Sequence, residues 1–175
     1  MPPMTNSDLR APTLHALTEL LRPLGYRNSS NLFSRPSVDV VHLIEVQGSR
    51  QSTSGNAKFT VNVGVFVPAL VYADVSDITK PSIPLAHWRA RLGSLSPEQV
   101  DMWWHASTLA QAQSAAEDVA GRVQLYALPA LAGLQQAKLL ANLWQGGLSP
   151  GLTETQRKEL LARLESKPSS NASAA

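Results

Sequence analysis

Residues 59–67 read FTVNVGVFV: every odd position is apolar, while Thr60, Asn62 and Gly64 fill even ones. A period of two belongs to an extended strand, because successive side chains leave a pleated backbone on opposite faces. The stretch therefore demands a sheet with one buried face. It also sets an asparagine and a glycine together on the other face, where a solvated strand ordinarily carries longer polar side chains.

The preceding segment VDVVHLIEVQ (38–47) is rich in β-branched residues and reads as a second strand. The linker GSRQSTSGNA makes an antiparallel hairpin the simplest connection, with its turn near Ser52–Gly55. That register sets Glu45 beside Asn62 and Gln47 beside Thr60, and residues opposite one another share a face. One face then holds Val38, Val40, His42, Ile44 and Val46 with Phe59, Val61, Val63, Val65 and Val67. The other is apolar at one end and polar around Glu45, Gln47, Thr60 and Asn62.

Upstream, Leu14, Leu17, Leu21 and Leu24 recur at helical spacing, which predicts a helix from Pro12 or Thr13 to Arg22, ended by Pro23 and Gly25. A short strand is expected at Asn31–Ser34. WRARLGSL (88–95) alternates and predicts a further strand with Arg89 and Arg91 on a solvated face, and residues 71–87 read as a loop. SPEQ (96–99) has capping-box form and predicts a helix through MWWHA. A longer helix should follow, with a seam of Leu109, Ala112, Ala116, Val119, Val123 and Tyr126, broken at Pro129. Another helix runs through ALAGLQQAKLLANLW to the glycines at 146–147, and Thr153 with Gln156 caps a last one. The order implies an α+β fold: an antiparallel sheet of about four strands with an N-terminal helix and several C-terminal helices packed on it. Residues 1–165 are expected to form a single domain and 166–175 a disordered tail.

Function classes narrow by exclusion. Fifteen Lys and Arg against thirteen Asp and Glu leave a net charge of +2 with no basic stripe, which disfavours nucleic-acid binding. The chain has no cysteine, so disulfides and thiolate zinc sites are impossible. No signal peptide or membrane span is evident, and a cytoplasmic location is expected.

No set of residues announces chemistry, and no catalytic residue, metal site or cofactor is assigned. His15, His42, His87 and His105 lack ligand spacing, and His42 on the core face reads as a buried, hydrogen-bonded side chain. Asp39 and Glu45 stand about 20 Å apart along a strand, too far to flank one bond. Asp74 and Asp77 read as solvated loop charges. Of Trp103 and Trp104, one should be core and the other wedged against a neighbour. The polar patch of Glu45, Gln47, Thr60 and Asn62, with Arg50 at the loop, has two readings: cross-strand pairs that stabilise a hairpin, or a groove that recognises a partner.

In order, LLRPLGYRNSSNLFSR, VVHLIEVQGSR, FTVNVGVFVP, WRARLG and WW resemble the bacterial domain-of-unknown-function 4304 family. The matching residues are Leu24, Gly25, Tyr26 and Phe33, then Gln47 and Ser49, then Phe59, Thr60, Asn62 and Gly64, within roughly 14–145. The resemblance implies a compact α+β domain and no established activity. The leading expectation is a non-enzymatic protein-binding module, in concrete form an immunity protein that neutralises a toxin encoded nearby. A small-molecule-binding protein or enzyme using the polar sheet face is the alternative, and nucleic-acid binding a second.

Overall fold

The alternating stretch lies at the centre of an antiparallel sheet in the computed structural model, which describes residues 4–71 and 80–166. The strands are β1 (Arg27–Ser29), β2 (Leu32–Pro36), β3 (Val41–Gly48), β4 (Ala57–Phe66), β5 (Trp88–Arg91) and β6 (Trp104–Ala106). Their order is β1-β2-β3-β4-β5, and β6 also pairs with β4. The hairpin register is the one the pattern predicts: Glu45 faces Asn62, and Gln47 faces Thr60.

The odd residues of β4 are fully buried, packed with His42, Ile44 and Val46 from β3. Val38 departs from the expectation and is 71% exposed. A turn closed by Ser37 N–H to the Val40 carbonyl (2.8 Å) delays the strand to Val41. Over this face lie α1 (Asn6–Leu21), α3 (Leu109–Arg122) and α5 (Ala137–Gln145), with α4 (Leu128–Ala132) continuing α3 and α6 (Glu154–Glu165) following. The short α2 (Leu92–Leu95) extends β5. Trp144 and Leu140 of α5 are completely buried, and the Asp39 carboxylate accepts the Ala137 N–H (2.8 Å) at that helix's start. An anion there suits the helix dipole, so Asp39 has a structural partner.

Several predicted elements differ. The strand expected over 88–95 ends at Arg91, where Leu92–Leu95 turn into α2, and the helix expected through ALAGLQQAKLLANLW is interrupted at 133–136 between α4 and α5. Helix α1 begins six residues before Pro12. A capping box at Thr5 with Asp8 satisfies the first-turn donors and starts the helix early, and Leu9 and Leu17 on either side of Pro12 anchor it in the core. Pro129 does not break α3. The chain passes through a π-turn at Val123–Ala127 into α4, and the wider turn relieves the crowding a proline ring causes four residues upstream. The helix expected from Ser96 through MWWHA is absent. The Ser96 hydroxyl turns back to the Leu92 carbonyl (2.9 Å), and Gln99 takes φ +50 in a turn. Among the described residues the sheet has six strands where about four were expected; β1 is three exposed residues without periodicity, and β6 occupies the segment expected as a helix.

The seam residue Leu109 is half exposed, whereas Ala112, Ala116, Val119 and Val123 are buried as expected. The cap at Thr153 with Gln156 forms in both directions. Asp74, Asp77 and the tail from residue 167 lie outside the described residues. No helix among the described residues is long and apolar enough to cross a membrane.

Candidate functional site

The second face of the sheet divides into a covered and an open half. At the apolar end Leu43 and Phe66 pack under Ile83 and Ala86, part of the segment expected as a loop, which carries a short 3-10 turn at Ile83–Leu85. Gly64 allows that approach. A Cβ built there would lie 3.0 Å from both the Ala86 Cβ and the Ile83 Cδ1, so even alanine would make that segment give by a few tenths of an ångström.

Beyond Ile83 the face opens into a groove of about 460 Å³. Its floor is Glu45, Gln47 and Asn62, Ile83 and Pro84 form one end, and Arg89 and Arg91 of β5 form the far wall. The placement follows from register: Glu45, Asn62 and Arg91 are direct partners across β3, β4 and β5, and Gly64 pairs with Arg89. At a strand spacing near 4.8 Å, Glu45 and Arg91 stand about 10 Å apart at the backbone.

The Asn62 carboxamide organises the floor. Its nitrogen donates to Glu45 Oε2 (3.1 Å) and to Gln47 Oε1 (2.7 Å), so both N–H groups are used within the sheet. The assignment leaves the Asn62 carbonyl and one Glu45 oxygen as acceptors, and the Gln47 amide as a donor. Asn62 is 8% exposed, Glu45 half-buried and Gln47 exposed. The buried Asn62 amide, hydrogen-bonded to both neighbours, holds this arrangement without a ligand.

The two arginines are also held in place. Arg89 donates from Nη2 to the Gly151 carbonyl (2.6 Å) and from Nη1 to the Pro84 carbonyl (3.4 Å). Arg91 pairs with Asp101 and stacks on Trp103, its Cζ 5.0 Å from the ring centroid. Lys58 also lies over that ring, at 5.2 Å, and the Trp103 indole donates to Asp101 (3.1 Å). Hydrogen bonding from Trp103, then from Arg91, holds the Asp101 carboxyl below its ordinary range.

Thr60 and Arg50 stand apart from this cluster. The Thr60 hydroxyl shares the face but is fully buried, donating to the Met102 carbonyl (2.7 Å) where the chain returns towards β6. Arg50 is exposed in the turn after β3 and does not line the groove. The tryptophans divide by strand alternation: Trp104 stacks on Phe59 in the core (6.2 Å), and Trp103 is wedged between two cations. Arg89 and Arg91 carry the positive wall, and their signal was the alternation of WRAR, which fixed their face without revealing its neighbours.

His42 is completely buried, with Nε2 2.9 Å from the Leu134 carbonyl, and His87 Nδ1 accepts the Val67 N–H (2.9 Å). Burial lowers both imidazoles from the usual range, His87 to about 4. Among the described residues no three His, Asp or Glu side chains gather as a metal would require.

The family model described as a domain of unknown function (DUF4304) matches residues 17–133, spanning the sheet, the groove and α3. No curated protein matches the chain. No solved structure matches it either.

Proposed function

The chain belongs to the domain-of-unknown-function 4304 family, and from that premise we propose that it is a non-enzymatic binding module. Its single domain, residues 1–165, takes a segment of a protein partner in the groove on the second sheet face. The carrying observation is the floor itself: Asn62 holds Glu45 and Gln47 in place, and all three line the groove with acceptors and a donor left over. The lining supports recognition more than catalysis. Among the described residues it holds one carboxylate and two guanidiniums, which do not release protons near neutrality, and no hydroxyl or thiol nucleophile.

The concrete form we favour is a cytoplasmic immunity protein that occludes a toxin encoded beside it. A net charge of only +2 gives little long-range steering, so the grip on such a partner rests on shape and short-range polar contacts. Co-expression with the product of the adjacent gene tests this. A stable complex on purification, and relief of any growth defect that the product causes, is the expected result. Recovery of each chain alone, with no relief, would overturn it.

A second reading is favoured by the groove volume, which lies within the range of small-molecule sites. In it the same side chains bind a metabolite. Retention of a small molecule through native mass spectrometry, lost in a Gln47→Ala/Asn62→Ala variant that still folds, would shift the assignment to that class.

A further inference from the structure

Resting on the reading of the groove as a partner-binding surface, we propose that its occupant is an acidic peptide segment. A side-chain carboxylate of the segment is held by Arg89 and Arg91, and its backbone N–H groups donate to Glu45 and to the Asn62 carbonyl.

The groove has a polarity that selects such an occupant. Its β5 wall carries two guanidiniums, Arg91 paired with Asp101 and Arg89 held only by carbonyls among the described residues, and its β3 wall one carboxylate, with the backbones about 10 Å apart across two strand spacings. Each guanidinium has five N–H donors in a fixed plane. Arg89 uses only two nitrogens on the Pro84 and Gly151 carbonyls, and Arg91 uses one on Asp101 and its face on Trp103. Both are therefore positioned before a ligand arrives, with donors to spare, so that little side-chain freedom is lost on binding.

Asp101 illustrates what this surface accepts. Its carboxylate takes Arg91 on one oxygen and the Trp103 indole on the other. The opposite side of the groove takes donors on the Asn62 carbonyl and Glu45, because the Asn62 nitrogen is fully used, and offers one donor of its own, the Gln47 amide. A peptide supplies both: a carboxylate for the arginines and main-chain N–H groups for the floor. Ile83 and Pro84 give an apolar end against which the methylenes of a glutamate pack.

The test is a side-chain NMR titration of the full chain with N-acetyl-glutamyl methylamide, its neutral glutaminyl isostere and inorganic phosphate. The expected result is movement of the Arg89 and Arg91 Nε–Hε and Asn62 carboxamide signals with the glutamyl compound, at least tenfold weaker with the isostere. Equal response to charged and neutral compounds overturns the proposal, as does response to phosphate alone, which would point to a phosphate-bearing partner. With the product of the adjacent gene, a complex that needs Gln47 and Asn62 but is unaffected by R91Q removes the acidic occupant and keeps the groove. A complex indifferent to all three residues removes both.

Discussion

Replacing Gly93 with alanine should unfasten the segment that holds the groove's positive wall. Gly93 lies in α2, and a Cβ there falls within hard contact of the Val100 carbonyl, 2.6 Å from the Met102 Cβ and 2.9 Å from the Met102 nitrogen. Backbone atoms cannot swing aside as a flexible side chain does, so residues 100–102 must move away from β4. Overpacking costs about 1–3 kcal/mol, and losing the Thr60–Met102 hydrogen bond about 1 more, giving about 2–4 kcal/mol together. For a chain of this size that lowers the melting temperature by roughly 4–16 °C. Urea unfolding followed by circular dichroism is the assay, with an unchanged slope and a lower midpoint. Thr60→Val should cost about 1–3 kcal/mol alone, and the double variant should fall short of additivity by about 1 kcal/mol, since both changes break one contact. Gly121→Ala is the matched control: it sits in α3, where a Cβ meets nothing within 4 Å, and should stabilise by about 0.5–1 kcal/mol. A Gly93→Ala protein as stable as wild type would refute the close approach on which the arrangement of Met102, Asp101 and Trp103 depends.

Asn62→Ala should lower stability by only about 1–2 kcal/mol, because Gln47 and the free side of Glu45 recover water; chemical denaturation checks this. Stability should also fall with pH between about 6.5 and 4. His87 has a folded pKa depressed to about 4, so the unfolded chain takes up a proton that the folded one refuses, and the loss reaches about 3 kcal/mol at the lower end. Well above pH 6.5 the imidazole is neutral in both states and contributes no slope, and carboxylates such as Asp101 act mainly below about pH 5. Urea midpoints at pH 7.5, 6.0 and 5.0 should show the decline, and His87→Gln should reduce it, the remainder belonging to His42, whose imidazole burial also holds below the usual range. Thr153→Ala removes the α6 cap and should cost about 1 kcal/mol, read as a lower melting temperature.

The hairpin was legible because its period, turn residues and register are all local. Once FTVNVGVFV and HLIEVQ are strands joined near Ser52–Gly55, Glu45 must meet Asn62, and the structure places them as direct partners. The resemblance to the family was legible in the same strands. What stayed hidden depends on contacts between distant segments. Thr60 reads as an open polar residue in the strand pattern, yet residues 96–103 return across it and bury it. Trp103 and Trp104 follow a capping-box sequence that would suit a helix. Tertiary packing overrides it, because Trp104 stacks on Phe59 and Asp118 accepts its indole N–H (2.8 Å). Arg89 and Arg91 were visible as a solvated pair, but only the pairing of β5 with β4 brings them to Glu45 and Asn62. The segment at Ile83–Leu85 looked like an irregular loop, and its role as the groove's closed end follows from the space Gly64 leaves.

The most direct test is the affinity of the Gln47→Ala/Asn62→Ala protein for the co-expressed product of the adjacent gene, beside its melting temperature. A groove that receives the partner requires at least a tenfold loss of affinity, about 1.4 kcal/mol, with the fold retained. Undiminished affinity in a folded double variant would place the partner elsewhere and return Glu45, Gln47 and Asn62 to the stabilisation of the hairpin alone.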